Sequence, residues 1–271
     1  MSQPRPEDRS PAPITVSSLV EELHALGVER GQTILVHSSL SSLGWVCGGA
    51  PAVVDALQLA VGDTGTVVMP THSPGNRGPR NMSHPPVPES WDERIRAQMP
   101  PYRPAVTPTQ GMGAIPECFR NYPGVRRSAH PQHSFAAWGA KADFVTSGHP
   151  YDYSLGEDSP LARVYDADGA VLFLGTTHAT DTSLHLAEYR ADIDVGTEQR
   201  ASAVLVEGER VWLHWDDIAF DDEDFAACGD AFELEHPEAV ATGTVGVADA
   251  KLFSQRTLVD FGVEWFEANR V

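Results

Sequence analysis

The chain has 271 residues with 38 acidic against 19 basic side chains, a formal net charge of −19. No apolar run approaches the ~20 residues that span a bilayer, and no basic face is available to a phosphate backbone. The composition therefore argues against a membrane protein or a nucleic-acid binder, and an excess of acid this large attracts polycationic small molecules. Only Lys141 and Lys251 are lysines, and so much acid with so little lysine also reads as adaptation of the surface to high salt. Activity and stability are expected to hold in concentrated salt. Best function in dilute buffer, lost on adding salt, would contradict that expectation.

Cys47, Cys118 and Cys228 are an odd set without a C-x-x-C pair, so no disulfide framework is implied. The N-terminal 13 residues are polar and Pro-rich and lack an apolar signal core. They read as a disordered arm on a cytoplasmic protein, with residues 14–271 as one folded unit.

Residues 15–29 carry apolar side chains at helical spacing, with Ser17 or Ser18 near the start and Gly27 near the end. Thr33, Ile34, Leu35 and Val36 make a buried strand that turns out through His37, Ser38 and Ser39. A helix with Pro51 near its start follows, then a strand over 65–70 ending in Thr71, His72 and Ser73. This order predicts a parallel or mixed sheet covered on both faces. Residues 73–110 break the rhythm with a proline-rich excursion holding a helical piece over 91–99, and long excursions of this kind are usually functional. A helix over 113–120 comes next, then a turn with Arg127, His130 and Pro131 that runs into a strand. Residues 200–215 alternate as an antiparallel hairpin. An acidic run over 216–225 leads into a helix, and a strand near 242–247 and a helix ending near 268 close the chain.

The densest chemical signal lies after the apolar run 170–175, a buried strand. A helix opens there with Thr182 or Ser183 as its cap and carries His185 and Glu188, three residues apart on one face. A histidine beside a carboxylate, just past a buried strand, is the arrangement that holds a general base. His178, Asp181, His185 and Glu188 also raise a metal-dependent hydrolase as a rival, but their spacing matches no standard zinc signature. The turn His37-Ser38-Ser39-Leu40 offers backbone N–H groups and hydroxyls to a pyrophosphate. Thr71 is placed to line a reaction site, and Thr107 and Thr109, ahead of Gly113 at a helix start, to face a cofactor.

Four motifs line up in order. They are the strand and turn from Ile34 to Leu40; Val67-Val68-Met69-Pro70-Thr71; Arg127-Ser128-Ala129-His130-Pro131 with Ser134-Phe135-Ala136-Ala137 and Gly139; and Leu174-Gly175 with the stretch from Thr182 to Glu188. Together they resemble the aminoglycoside 3-N-acetyltransferase family, from about residue 15 to the C-terminus. The resemblance implies an α/β fold: a three-layer α/β/α sandwich with a mixed, largely parallel central sheet and an added antiparallel hairpin. It implies that acetyl passes directly from acetyl-coenzyme A to the 3-amino group of a 2-deoxystreptamine aminoglycoside, with no covalent acyl-enzyme and no metal.

By the same resemblance His185 is the base. Either Glu188 or an acid after the hairpin, Asp217 or its neighbour Asp216, orients it. The His37 turn lies at the cofactor in the family, and Arg127 and Ser134 are assigned to the cofactor with it. Tyr102 and Asp92 on the proline-rich excursion, with Asp216 and Glu157, are expected to wall the amine pocket, where aromatic faces and carboxylates hold a cation. The sequence leaves a same-fold acyltransferase for another amine, and a non-catalytic coenzyme A-binding protein, as alternatives. It does not separate a monomer from a homodimer.

Overall fold

Among the described residues seven strands form one sheet, ordered β3 (Arg126–Arg127), β4 (Phe135–Gly139), β2 (Thr66–Pro70), β1 (Thr33–Ser38), β5 (Ala170–Leu174), β9 (Ala248–Ser254) and β8 (Val240–Val245). The computed structural model describes residues 5–79 and 87–270, so the part of the proline-rich excursion at 80–86, with Pro85 and Pro86, lies outside the described residues. In chain order the elements are α1 (Pro6–Arg9), α2 (Val16–Leu26), β1 (Thr33–Ser38), α3 (Ala50–Val61), β2 (Thr66–Pro70), α4 (Asp92–Gln98), α5 (Ala114–Phe119), β3 (Arg126–Arg127) and β4 (Phe135–Gly139). Then follow α6 (Ala142–Thr146), α7 (Pro160–Asp166), β5 (Ala170–Leu174), α8 (Ser183–Arg190), β6 (Thr197–Val206), β7 (Glu209–Ile218), α9 (Phe225–Glu235), β8 (Val240–Val245), β9 (Ala248–Ser254) and α10 (Gln255–Asn269).

The central strands β2, β1 and β5 run parallel, and the strands outside them pair antiparallel. Strand alternation sends successive side chains to opposite faces. Ile34, Val36, Val67 and Leu172 pack with α2, α3 and α5. Leu35, Val68, Val171 and Phe173 pack with α6 to α10. Two cores on either side of the sheet give the three layers the resemblance implied. β6 and β7 form a separate hairpin whose two-residue turn, Glu207 (φ 52°) and Gly208 (φ 86°), has both residues in the left-handed region, as type I′ hairpin turns require. The strands run on beyond the alternating stretch, to 197 and 218.

Three parts differ from the sequence reading. Residues 5–13 were expected to be disordered, yet this segment lies against the loop after β1. The Ser10 hydroxyl donates to Pro6 O (3.0 Å) and accepts from Trp45 N (2.7 Å), and Arg9 donates to Ser41 O. Proline-rich composition sets a poor intrinsic preference, and these long-range bonds override it. The short helices α6 and α7 went unread because neither is long enough to show a period. Ser159, whose hydroxyl accepts from Ala162 N, caps α7 ahead of Pro160. The C-terminal strand is in fact two, β8 and β9, followed by α10 from Gln255.

Candidate active site

A cavity of about 890 Å³ opens at the C-terminal ends of β1, β2 and β5. Parallel strand ends are where α/β sheets receive ligands, because the loops there diverge and the backbone runs out of ladder partners. Ser38, Ser39 and Leu40 after β1, His72 after β2, Gly111 to Ala114 before α5, and Thr180 to Thr182 before α8 line it, with His185 at one end. Ser38 Oγ and His72 Nε2 are buried without a hydrogen-bond partner among the described residues. Buried polar atoms without partners are uncommon and mark places where a ligand completes the bonding.

His185 sits in the first turn of α8. Its Nδ1 is 2.5 Å from Glu188 Oε2. Glu188 is fully buried, and its second oxygen accepts from Arg270 Nη1 (2.6 Å) and Asp221 N (3.2 Å). Burial acts to lower the Arg270 pKa, but its bonds to Asp224 and Glu188 outweigh that and hold it above the usual arginine range. Phe220 and Phe225 flank the imidazole, each with its ring centroid 4.8 Å away. An ionised carboxylate only accepts, so Nδ1 carries the proton and Nε2 keeps its lone pair for the cleft. Of the two alternatives for the acid that orients His185, the geometry selects Glu188. The helix begins without a side-chain cap from Thr182, and instead Asp181 Oδ1 accepts from Ser183 N (3.0 Å).

The turn after β1 lines the cleft. His37 is buried, with Nε2 3.4 Å from Thr182 Oγ1 and 3.9 Å from Asp181 Oδ1. Burial lowers its pKa, with Asp181 opposing. Ser39 N is bound to Leu174 O, so that amide is not free for a phosphate, whereas the amides of Leu40 and Ser41 have no backbone partner among the described residues. Just past β5, Gly175 (φ 68°) packs against this turn, and glycine is required there because a Cβ would come 2.4 Å from Ser42 Cβ.

Other assignments do not fit the geometry. Asp217 is buried but turned away from His185. Its carboxylate accepts from Ser154 Oγ (2.6 Å), Ile218 N (3.0 Å) and the Tyr189 hydroxyl. Thr71 is buried beneath the cleft, not in it. Its hydroxyl donates to Ser134 O (3.1 Å) while Ser134 Oγ donates to Thr71 O (2.8 Å), which places both residues in the support of the strand end. Arg127 does not reach out for a phosphate: its guanidinium donates to Thr71 O (2.6 Å), Ser73 Oγ (2.7 Å), Thr107 O (2.5 Å), Pro104 O (3.1 Å) and Ser134 Oγ (3.1 Å).

Thr107 Oγ1 accepts from Arg103 N, and Thr109 bonds Glu117, so neither lines the cavity. Tyr102 is buried under Arg127 with its hydroxyl on Ser128 O (3.0 Å). Asp92 pairs with Arg96 one helical turn on, Glu157 pairs with Arg190, and the Asp216 backbone bonds Asp152 and Tyr153. Asp216 is exposed and stays available to a cation. For the metal rival, His178 bonds Glu233 and His185 bonds Glu188. Among the described residues no group of three or more His, Cys, Asp or Glu is placed to hold a metal ion.

Arg127 ties the proline-rich excursion to the ends of β2 and β4. Arg127→Met strands several buried carbonyls and is expected to cost about 2–4 kcal/mol and lower the melting temperature by about 5–15 °C. An unchanged melting temperature would contradict that clamp role.

Sequence reading gave His72 and Arg270 no role, and offered Asp181 only as a ligand of the metal rival. His72 stands at the end of a parallel strand just as His37 does, and that position was the signal available. Burial, and then nearby His185, push the His72 pKa down to about 3. Burial also takes His149 down to about 4 and lowers His130 and His133 well below the usual histidine range. A group whose folded pKa lies below its unfolded value binds more protons when unfolded, so stability is lost as pH falls from about 6.5 toward the folded pKa. At pH about 5.5, His72 and His149 together are expected to cost about 3 kcal/mol relative to neutral pH. Chemical denaturation at the two pH values measures it, and equal stability would contradict it.

Comparison with known proteins places this geometry. A family model described as aminoglycoside 3-N-acetyltransferase matches residues 35–267. The chain belongs to the aminoglycoside 3-N-acetyltransferase family. The SPbeta prophage-derived aminoglycoside N(3')-acetyltransferase-like protein YokD of Bacillus subtilis is 46% identical, over 95% of this chain and 94% of its own. Aminoglycoside N(3)-acetyltransferase VII of Streptomyces paromomycinus is 40% identical over 96% of this chain and 93% of its own.

Among solved structures, YokD superposes with a TM-score of 0.95 over 98% of this chain and 97% of its own at 44% identity. AAC-IIIb in a binary complex with CoASH gives 0.83 at 30% identity over 95% and 97%. AAC-VIa bound to sisomicin gives 0.85 at 33% identity over 95% and 98%. Within the aminoglycoside 3-N-acetyltransferase family match fall His185, Glu188 and every strand end that lines the cleft. Arg270, which fixes Glu188, lies just beyond it.

Proposed function

We propose that this chain transfers acetyl from acetyl-coenzyme A to the 3-amino group of a 2-deoxystreptamine aminoglycoside, with both substrates in the cleft at once and His185 as general base. The observation that carries the reading is the His185–Glu188 pair, with His185 lining the cavity and its Nε2 without a hydrogen-bond partner among the described residues. Family membership supports the chemistry, and so do the CoASH and sisomicin complexes of relatives.

An aminoglycoside amine is largely protonated near neutral pH and is no nucleophile in that form. After one proton has left the ammonium, His185 Nε2 takes a second from the amine as its nitrogen bonds to the thioester carbon. The C–S bond breaks, and the imidazolium returns its proton to the departing thiolate. Glu188 stabilises the imidazolium in between. Leu40 and Ser41 amides support binding of coenzyme A phosphates. Ser38 Oγ and His72 Nε2, buried atoms of the cleft that have no partner among the described residues and can donate, are the side-chain candidates to stabilise the thioester carbonyl. Thr71, with its hydroxyl committed to Ser134, is not one of them. The acidic surface draws in the polycation.

Free-thiol release from acetyl-coenzyme A, with a panel of aminoglycosides, tests the reading. Release is expected with 2-deoxystreptamine compounds. Tight acetyl-coenzyme A binding with no release from any of them would overturn the aminoglycoside assignment and point to another amine acceptor.

A further inference from the structure

Asp217 does orient a histidine, but through a serine and not the base. Ser154 Oγ lies 2.6 Å from Asp217 Oδ2 and 2.6 Å from His133 Nδ1. The other contacts of the Asp217 carboxylate are N–H and O–H donors, and an ionised carboxylate only accepts. Burial pushes the Asp217 carboxyl above the usual carboxylate range, with Ser154, Tyr189 and Arg200 opposing. As the carboxylate it takes the Ser154 hydroxyl proton, and the Ser154 oxygen then accepts the Nδ1 proton of His133. The chain Asp217–Ser154–His133 fixes one tautomer, with the lone pair on Nε2.

The ring is braced from three sides: stacked on His130 at 5.2 Å, edge-on to His72 at 5.5 Å and edge-on to Phe220 at 5.2 Å. Phe220 also packs on His185, and His72 lines the cleft. His133 Nε2 makes no hydrogen bond among the described residues, and the side chain, 12% exposed, lies one ring away from the cavity, against the His72 that lines it. Burial of the ring, then His130, His72, Arg200 and His185 around it, hold the imidazole neutral, with Asp217 the nearest opposing charge.

We propose that His133 is a specificity-determining residue, whose Nε2 accepts a hydrogen bond from an N–H or O–H of the amine-bearing substrate beside His185. The assignment rests on the function proposed above. A neutral, fixed acceptor suits this place. It takes a donor from a polyamine or polyol without competing for the proton that His185 must carry.

The test uses the full enzyme labelled with ¹⁵N-histidine, and sisomicin as probe. Nε2 of His133 is expected to be unprotonated in the free enzyme near neutral pH, and its resonance to move when sisomicin is added. His133→Leu is expected to raise the KM for the aminoglycoside about 10- to 100-fold, leaving the KM for acetyl-coenzyme A unchanged. Ser154→Ala keeps the ring but frees the tautomer, and shifts the same KM in the same direction by a smaller factor. A protonated Nε2 in the free enzyme, a resonance indifferent to sisomicin that the enzyme acetylates, or a folded His133→Leu with unchanged aminoglycoside KM would overturn the assignment. Should His133→Leu not fold, the wild-type resonance decides alone. Absence of thiol release by the wild type with every aminoglycoside would instead overturn the proposed function, and the tautomer measurement would still read the Asp217–Ser154–His133 chain by itself.

Discussion

His185→Ala is expected to lower kcat/KM for the aminoglycoside about 10²- to 10⁴-fold, the range that a positioned general base supplies. The loss falls on kcat, because the base acts on the amine proton as the bond to carbon forms and contributes little to holding coenzyme A. Affinity for acetyl-coenzyme A, read by calorimetry, stays within about twofold, because the turn after β1 and the segment before α5 are untouched. The fold tolerates the change. Glu188 loses one partner of three and keeps Arg270 and Asp221 N, so the stability loss is about 1–2 kcal/mol. Near-normal turnover in a folded His185→Ala enzyme would remove the base from the mechanism.

Glu188→Gln separates geometry from charge. Arg270 must still donate to the residue at 188, so the amide oxygen turns to Arg270 and the NH₂ group turns to His185 Nδ1. An NH₂ donor forces Nδ1 to accept, which moves the imidazole proton to Nε2 and removes the lone pair the amine needs. The expected fall in kcat is about 10²- to 10⁴-fold, comparable to the loss when a triad carboxylate becomes an amide. The same change takes one charged partner from Arg270, leaving Asp224, and costs about 2–4 kcal/mol, or about 5–15 °C in melting temperature. Activity close to wild type, in steady-state thiol release, would show that this carboxylate does not set the tautomer.

Local pattern carried much of the architecture. The β-branched runs that became β1, β2 and β5, and the alternation that became the hairpin, follow from side-chain period alone. The pair His185 and Glu188 was visible because both lie on one short helix. Long-range partners are not encoded locally. Arg127 looks in sequence like any cation free to meet a phosphate, and only the fold shows its donors turned onto Thr71, Ser73, Pro104, Thr107 and Ser134. Tyr102 looks like a loop aromatic until the hairpin takes its backbone N–H through Ala203 O (2.8 Å) and buries it. Asp217 was offered as an acid that could orient His185, but the fold turns its carboxylate onto Ser154, Tyr189 and Ile218 N, partners that sequence spacing does not bring together. Arg270 had no signal at all: an arginine at the chain's end acquires its role only where α10 delivers it to Glu188.

The central claim is that the cleft delivers acetyl to one particular nitrogen. Two-dimensional NMR of the product formed from sisomicin and acetyl-coenzyme A locates that nitrogen directly. The account predicts a single acetyl group on the 3-amino nitrogen of the 2-deoxystreptamine ring. An acetyl group on any other nitrogen, or unmodified sisomicin after prolonged incubation with active enzyme, would contradict it.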